Sequence, residues 1–110
     1  MQNNDFTMRL CGCDVTVTFS DAGDWAQDGM GRCNSFTGQI QLSTKLTETT
    51  RSQTFLHELI HLILDFHGYG SISRQEGVVN ALSLSLLAWM RDNQELVDQI
   101  SHGVEVPVPA

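Results

Sequence analysis

The chain has 110 residues, 41% of them hydrophobic and 17% charged, which is typical of a single folded domain over residues 1–110 with one modest core. Six Lys and Arg against thirteen Asp and Glu leave a formal net charge of −7. The six basic residues are dispersed, so we expect no nucleic acid and no membrane as partner. The apolar runs are far shorter than a membrane span, and residues 1–5 lack the features of a signal peptide. We therefore expect a cytoplasmic protein.

The three cysteines, Cys11, Cys13 and Cys33, are odd in number, and the first two are too close together to staple much chain. A second metal site formed by all three is one interpretation, but they lack the C-x-x-C spacing of zinc knuckles. Reduced, buried thiols in a cytosolic protein are the simpler interpretation.

The first half of the sequence is predicted to begin as β structure over residues 6–20. Its segment Val15–Phe19 is rich in β-branched and aromatic residues, which alternate with a period of two. A turn at residues 20–24 follows, and the glycine-containing segment Trp25–Cys33 is predicted to be a loop.

A second strand is predicted over residues 35–43, where Ile40 and Leu42 fall on one face. An extended peptide can add itself to an exposed edge strand of a sheet. The strand can therefore have a role in binding a peptide, or it can be an ordinary strand of the sheet.

A long helix is predicted over residues 48–67. Thr47 is a favourable N-cap, and Glu48 in the first turn complements the helix dipole. Gly68 follows as the C′ residue that ends the helix.

This helix contains the motif His57-Glu58-Leu59-Ile60-His61. Residues four apart lie on one face of a helix, so both imidazoles can bind one zinc ion, with Glu58 beside a water on that ion. Such a centre is that of a metal-dependent hydrolase. The flanking residues are apolar on nearly every side, which predicts a helix buried in the core. The alternative is a pair of core histidines that neighbouring groups satisfy.

After the long helix, residues 69–73 are predicted to be a linker. Ser73 is predicted to cap a second helix at about residues 74–91, and a third helix is predicted at 94–101. The tail, residues 104–110, is predicted to be a strand or a frayed end.

A catalytic zinc usually has three protein ligands, and Glu76 is our main candidate for the third. It begins a polar track on the second helix that continues through Asn80 and Ser83. Asn80 can orient a metal-bound imidazole by a hydrogen bond. The alternative is a solvated helix face with Glu76 in its favourable first turn.

Two further residues compete for the third ligand position. His67 completes the histidine spacing of the metzincins, but Leu64 occupies the position of their turn-forming glycine. A continuous helix would also turn His67 away from His61. Asp65 lies one turn after His61 and can be a ligand, a supporting carboxylate or simply solvated.

Three stretches of the sequence, residues 54–65, 75–82 and 91–96, resemble a group of small phage- and prophage-encoded zincin proteins. The resemblance extends from about residue 16 to residue 100, and the H-E-x-x-H motif is its specific part. These proteins are similar to minimal gluzincins. The resemblance therefore implies an α+β fold: a short antiparallel or mixed β-sheet packed on the active-site helix and on a following helix that donates a glutamate ligand.

By position, the resemblance implies that His57, His61 and Glu76 bind Zn²⁺ and that Glu58 is the general base. Asn80 stands where related gluzincins often have an acidic residue. The three cysteines belong to no pattern of this group.

We therefore predict a zinc-dependent metallopeptidase acting on a peptide or protein substrate, in which Glu58 takes a proton from zinc-activated water and passes it to the leaving amine. Tyr69 is our candidate for stabilising the oxyanion, with His67 and Arg74 as alternatives. One rival hypothesis is a zinc-binding phage regulatory or structural protein with little or no catalysis, although such a site would not need Glu58. A metal-free helical adaptor would require the motif to be accidental.

Overall fold

The computed structural model describes residues 5–21 and 30–103, which form an α+β fold with the strands first and the helices after them. The strands are β1 (Phe6–Leu10), β2 (Cys13–Ser20), β3 (Gly31–Asn34) and β4 (Gln39–Ser43). The helices are α1 (Glu48–Phe66), α2 (Gly70–Ser73), α3 (Glu76–Asp92) and α4 (Gln94–Ser101). This is the fold class that the resemblance implied.

The four strands form one mixed sheet in the order β1-β2-β4-β3. β2 and β4 pair in parallel, whereas β1 and β3 pair antiparallel with β2 and β4 respectively. The two inner strands contain the alternating apolar residues that form the core together with Leu62 of α1, namely Val15, Val17, Ile40 and Leu42. Burying this face against α1 is what holds the motif helix on the sheet.

The β1–β2 hairpin turns at Cys11 and Gly12, which both have positive φ, 53° and 79°. This combination is typical of the two-residue hairpin turn that matches strand twist. It places Cys11 and Cys13 on the surface, so the prediction of buried thiols is wrong for these two residues. Cys33, on β3, is partly buried.

The segment predicted to be the second strand, residues 35–43, is a turn in its first part and a strand in its second part. Residues 35–38 form the turn between β3 and β4, with Gly38 at a φ of 66°, and β4 begins only at Gln39. β4 is an inner strand, so it is not the edge that a substrate could extend. The edge strands are β1 and β3, and β3, most of whose residues fall in the predicted loop, is the edge that packs against α1.

β3 lies very close to α1 because Gly31 has no side chain. A Cβ at this position would lie 2.7 Å from Thr54 Cγ2, closer than real Cβ contacts, and 3.0 Å from Leu42 Cδ2, closer than most of them. The four residues of β3 show no strong alternation of apolar side chains, but they form a strand because they pair with β4.

The ends of α1 agree with their prediction. Thr47 Oγ1 accepts a hydrogen bond from the Thr50 amide at 3.2 Å. At the other end Gly68 has a φ of 82°, its amide donates to the Asp65 carbonyl, and the Tyr69 amide donates to the Leu64 carbonyl. These two bonds form a Schellman motif, which ends the helix and satisfies its last carbonyl groups.

The predicted linker and the predicted start of the next helix are both wrong in detail. Residues 70–73 form the short helix α2, and α3 begins at Glu76 with Gln75 as its N-cap residue. Ser73 does not cap α3, because its side chain is buried against α1.

The predictions for residues 22–29 and for the tail, residues 104–110, lie outside the described residues. Within the described ranges, no helix has both the length and the apolar character needed to cross a membrane.

Candidate metal centre

The two motif histidines lie one turn apart on the side of α1 that faces the start of α3. Their side chains are largely buried, with 18% of His57 and 13% of His61 exposed. The two Nε2 atoms are 3.2 Å apart. The i, i+4 spacing thus gives the shared face that the sequence predicted.

Glu76, the first residue of α3, completes the cluster. Its Oε2 lies 2.9 Å from His57 Nε2, and its Oε1 lies 2.9 Å from His61 Nε2. Among the described residues, these three form the group of histidine, cysteine and acidic side chains that could hold a metal ion.

The atoms of the cluster lie almost as far apart as the ligands of a tetrahedral ion. Ligands at about 2.0–2.1 Å from a zinc ion are separated from one another by about 3.3–3.4 Å. The two Nε2 atoms are 3.2 Å apart, and each lies 2.9 Å from a different oxygen of Glu76. Two neutral imidazoles and one carboxylate are also a donor set that zinc accepts in hydrolases. The residues present therefore fit the ion that the motif implies.

Glu58 follows His57 on α1 but points into a more enclosed place, with only 8% of the residue exposed. Burial raises the pKa of this carboxyl, and a hydrogen bond from Cys33 together with the nearby His57 and His61 partly opposes the rise. A carboxylate with a raised pKa is a better proton acceptor at neutral pH than an ordinary surface glutamate.

Cys33 brings a thiol from β3 to this carboxylate. Burial raises the pKa of Cys33, and the charge of Glu58 and the hydrogen bond to it add to the rise. A protonated thiol at this place can donate a hydrogen bond to Glu58.

A cavity of about 790 Å³ lies in front of the cluster. β3 forms one wall, α1 the floor and α3 the opposite wall. Its lining residues are Met30, Gly31, Arg32, Cys33, Thr50, Gln53, Thr54, His57, Glu58, His61, Glu76, Asn80, Ser83 and Leu84. Glu76 remains 63% exposed at its mouth, so the cluster is accessible to a large ligand.

The competing third ligands are not brought to the cluster. His67 is exposed, and its Nδ1 donates to the Ile63 carbonyl at 2.9 Å. Asp65 does not belong to the metal-binding group found among the described residues.

The residues predicted to support the metal site differ in their position relative to the cavity. Asn80 lines the cavity but is exposed. Tyr69 is 55% exposed and, with Arg74, is outside the set of lining residues. The structure therefore does not bring Tyr69 to the cavity wall.

Sequence reasoning missed two contacts at this site. His61 Nδ1 lies 3.0 Å from the hydroxyl of Ser73, a residue that had been interpreted as a helix cap. The thiol of Cys33 reaches Glu58, although Cys33 had been grouped with the other cysteines. Of these two contacts, only that of Ser73 with His61 had a signal in the sequence: Ser73 lies three residues before Glu76.

Comparison with known proteins agrees with this geometry. The model of a peptidase family described as the IrrE N-terminal-like domain matches residues 13–78. This segment covers the sheet from β2 onward, the motif helix, α2 and the first residues of α3. No curated protein and no solved structure matches the chain.

Proposed function

Because the chain belongs to the zincin-like peptidase family described as the IrrE N-terminal-like domain, we propose that it is a zinc-dependent metallopeptidase. The observation that carries the proposal is the cluster of His57, His61 and Glu76, with the buried Glu58 beside it and a cavity in front. A site that only held zinc for structural reasons would be closed and would not need Glu58.

A bound zinc ion would supply Lewis acidity to a peptide carbonyl and lower the pKa of water at the open position. His57, His61 and Glu76 would hold the ion. Glu58 would accept the proton of the attacking water and deliver it to the leaving amine. Its burial supports this role because an unsolvated carboxylate binds a proton more strongly.

The edge strand β3 supports the choice of a peptide as substrate. Ser43 N–H donates to the Met30 carbonyl, so by the alternation of antiparallel strands the backbone groups of Gly31 and Cys33 face away from β4. An extended peptide can pair with these groups as a further strand along the cavity. Its main chain would then lie beside Glu58.

Tyr69 remains our proposed donor to the oxyanion. Since Tyr69 does not line the cavity, this role requires its ring to turn toward the cavity mouth. We also propose that the protein acts on peptides or proteins in the cytosol and without nucleic acid, in keeping with its dispersed basic residues.

The test is Glu58→Gln, which keeps the size and hydrogen-bonding capacity of the side chain but cannot take a proton. We expect hydrolysis of a quenched-fluorescent random peptide library to fall by about 10²–10⁴-fold, while zinc per chain stays at the wild-type value. The matched control is Glu48→Gln in the exposed first turn of the same helix, which should retain wild-type activity.

Hydrolysis that survives in Glu58→Gln would refute the assigned mechanism. Wild-type protein that holds one zinc ion but cleaves no member of the library would favour the rival hypothesis, a zinc-binding regulatory or structural protein.

A further inference from the structure

Ser73 is a buried hydroxyl in contact with a proposed metal ligand. It is the last residue of α2, only 5% of it is exposed, and its Oγ lies 3.0 Å from His61 Nδ1. The same hydroxyl donates to the backbone carbonyl of His61 at 3.5 Å. Ser73 thus contacts both the ring and the backbone of His61 on α1.

The hydrogen bonds of Ser73 bear on which ring nitrogen of His61 keeps its lone pair for a metal ion. A hydroxyl has one proton to donate. When Ser73 directs this proton to the His61 carbonyl, its oxygen can accept a hydrogen bond from Nδ1–H, an arrangement that places the ring proton on Nδ1. The lone pair of the neutral imidazole then lies on Nε2.

Nε2 is the nitrogen that faces the other ligand atoms. It lies 2.9 Å from Glu76 Oε1 and 3.2 Å from His57 Nε2. The hydroxyl on one side of the ring therefore directs the metal-binding lone pair into the cluster on the other side.

The fold also links this contact to the third ligand. Ser73 ends α2 and Glu76 begins α3, so only Arg74 and Gln75 separate them. The Gln75 amide donates to the Ile72 carbonyl, which keeps this connection tight. Docking of Ser73 against His61 thus fixes the point from which Glu76 reaches the cluster.

We propose that Ser73 is a positioning residue of the metal centre, which selects the Nε2-binding tautomer of His61 and sets the start of α3 for Glu76. The proposal rests on the proposed function in so far as the cluster must bind zinc, but it does not require hydrolysis. Outer contacts of this kind typically change metal affinity 10- to 100-fold.

The first experiment measures zinc affinity by competition with a chromophoric chelator. Ser73→Ala should bind zinc about tenfold more weakly than wild type, and Ser73→Thr, which retains a hydroxyl, should recover most of the loss. The matched control is Ser71→Ala on the exposed side of α2, which should bind zinc as wild type does. Equal affinity of Ser73→Ala and wild type would overturn the proposal.

The second experiment begins with the wild-type protein, so its first result does not depend on whether a variant folds. Long-range ¹H–¹⁵N spectra of the zinc-loaded wild-type protein should show His61 protonated on Nδ1 and coordinated through Nε2, with slow exchange of the Nδ1 proton. Ser73→Ala should exchange this proton at least tenfold faster, a change that a purely structural role would not produce. Coordination through Nδ1 would overturn the proposal.

These results are distinguishable from failure of the proposed function. Wild-type protein that binds no zinc would refute both proposals. Zinc-loaded protein in which His61 is protonated on Nδ1 but which has no peptidase activity would refute only the proposed peptidase function.

Discussion

At Glu58 the stability of the protein conflicts with the chemistry that we propose for this residue. The carboxylate is buried on α1, and its ionised form has lost most of its water. Cys33 compensates in part with a hydrogen bond from its protonated thiol. A buried carboxylate that was not needed for function would be expected to be replaced by an uncharged residue of similar size.

We therefore expect Glu58→Gln to stabilise the protein when zinc is removed with a chelator. Because burial raises the folded-state pKa of Glu58 above its unfolded value, the wild type loses stability as the pH rises through the folded-state pKa, and the loss is complete above it. Glutamine does not titrate, so the advantage of the variant should grow between pH 4.5 and pH 7.5.

Thermal unfolding of the chelated proteins measures this difference. At pH 7.5 the melting temperature of Glu58→Gln should exceed that of wild type by about 2 °C or more. Glu48→Gln, which removes an exposed charge that favours the helix dipole, should shift it slightly downward. An advantage of Glu58→Gln that shrank with rising pH would contradict the assigned cause.

At the scale of elements, the site depends on how closely β3 approaches α1. This contact brings Cys33 to Glu58 and gives the cavity its wall beside the motif. Gly31 permits it, since any Cβ there would meet the methyl group of Thr54.

Gly31→Ala should therefore destabilise the protein by about 1–3 kcal/mol, the typical cost of overpacking, because β3 must move away from α1. Urea unfolding measures the effect. Combining it with Thr54→Ser, which removes the methyl group that the new Cβ would meet, should recover part of the loss.

Gly77→Ala is the control, because a Cβ there meets no atom within 4 Å and alanine favours the helix. It should leave stability unchanged or raise it. A Gly31→Ala protein as stable as wild type would show that β3 does not sit tightly on α1.

At the scale of the whole molecule, the candidate metal centre joins parts of the chain that the sheet does not connect. His57 and His61 belong to the helix on the sheet, whereas Glu76 belongs to α3, which packs on α1 through Val79, Ser83 and Leu87. Beside this buried stripe, several apolar residues of α3 are exposed, namely Val78, Leu82, Leu84, Leu86 and Trp89. A bound ion would thus stabilise a helix that otherwise has a narrow buried face.

Zinc should accordingly raise the stability of the whole protein. Free zinc at about 100 times its Kd should add about 2.7 kcal/mol to the free energy of unfolding. Glu76→Ala should lose most of this gain together with its zinc, whereas Glu95→Ala on α4 should keep both.

Zinc per chain and the melting temperature with and without chelator test this prediction. Equal zinc in wild type and Glu76→Ala would move the third ligand to His67 or Asp65.

The sequence by itself determined the features that depend on local geometry. The spacing of His57 and His61 places both rings on one face because every α-helix has the same periodicity. Thr47 and Gly68 marked the ends of α1 because capping involves only the adjacent turn.

The tertiary structure decided the contacts between distant residues. The pairing that makes β3 an edge strand, the placement of Cys33 beside Glu58, and the position of Glu76 rather than His67 beside the motif histidines all depend on how separate elements pack. Ser73 shows the reason most directly: its local preference favoured a helix cap, but the burial of its hydroxyl against His61 prevailed. Local periodicity and capping act within a turn or two of chain, whereas these positions are set by packing across 12 or more residues.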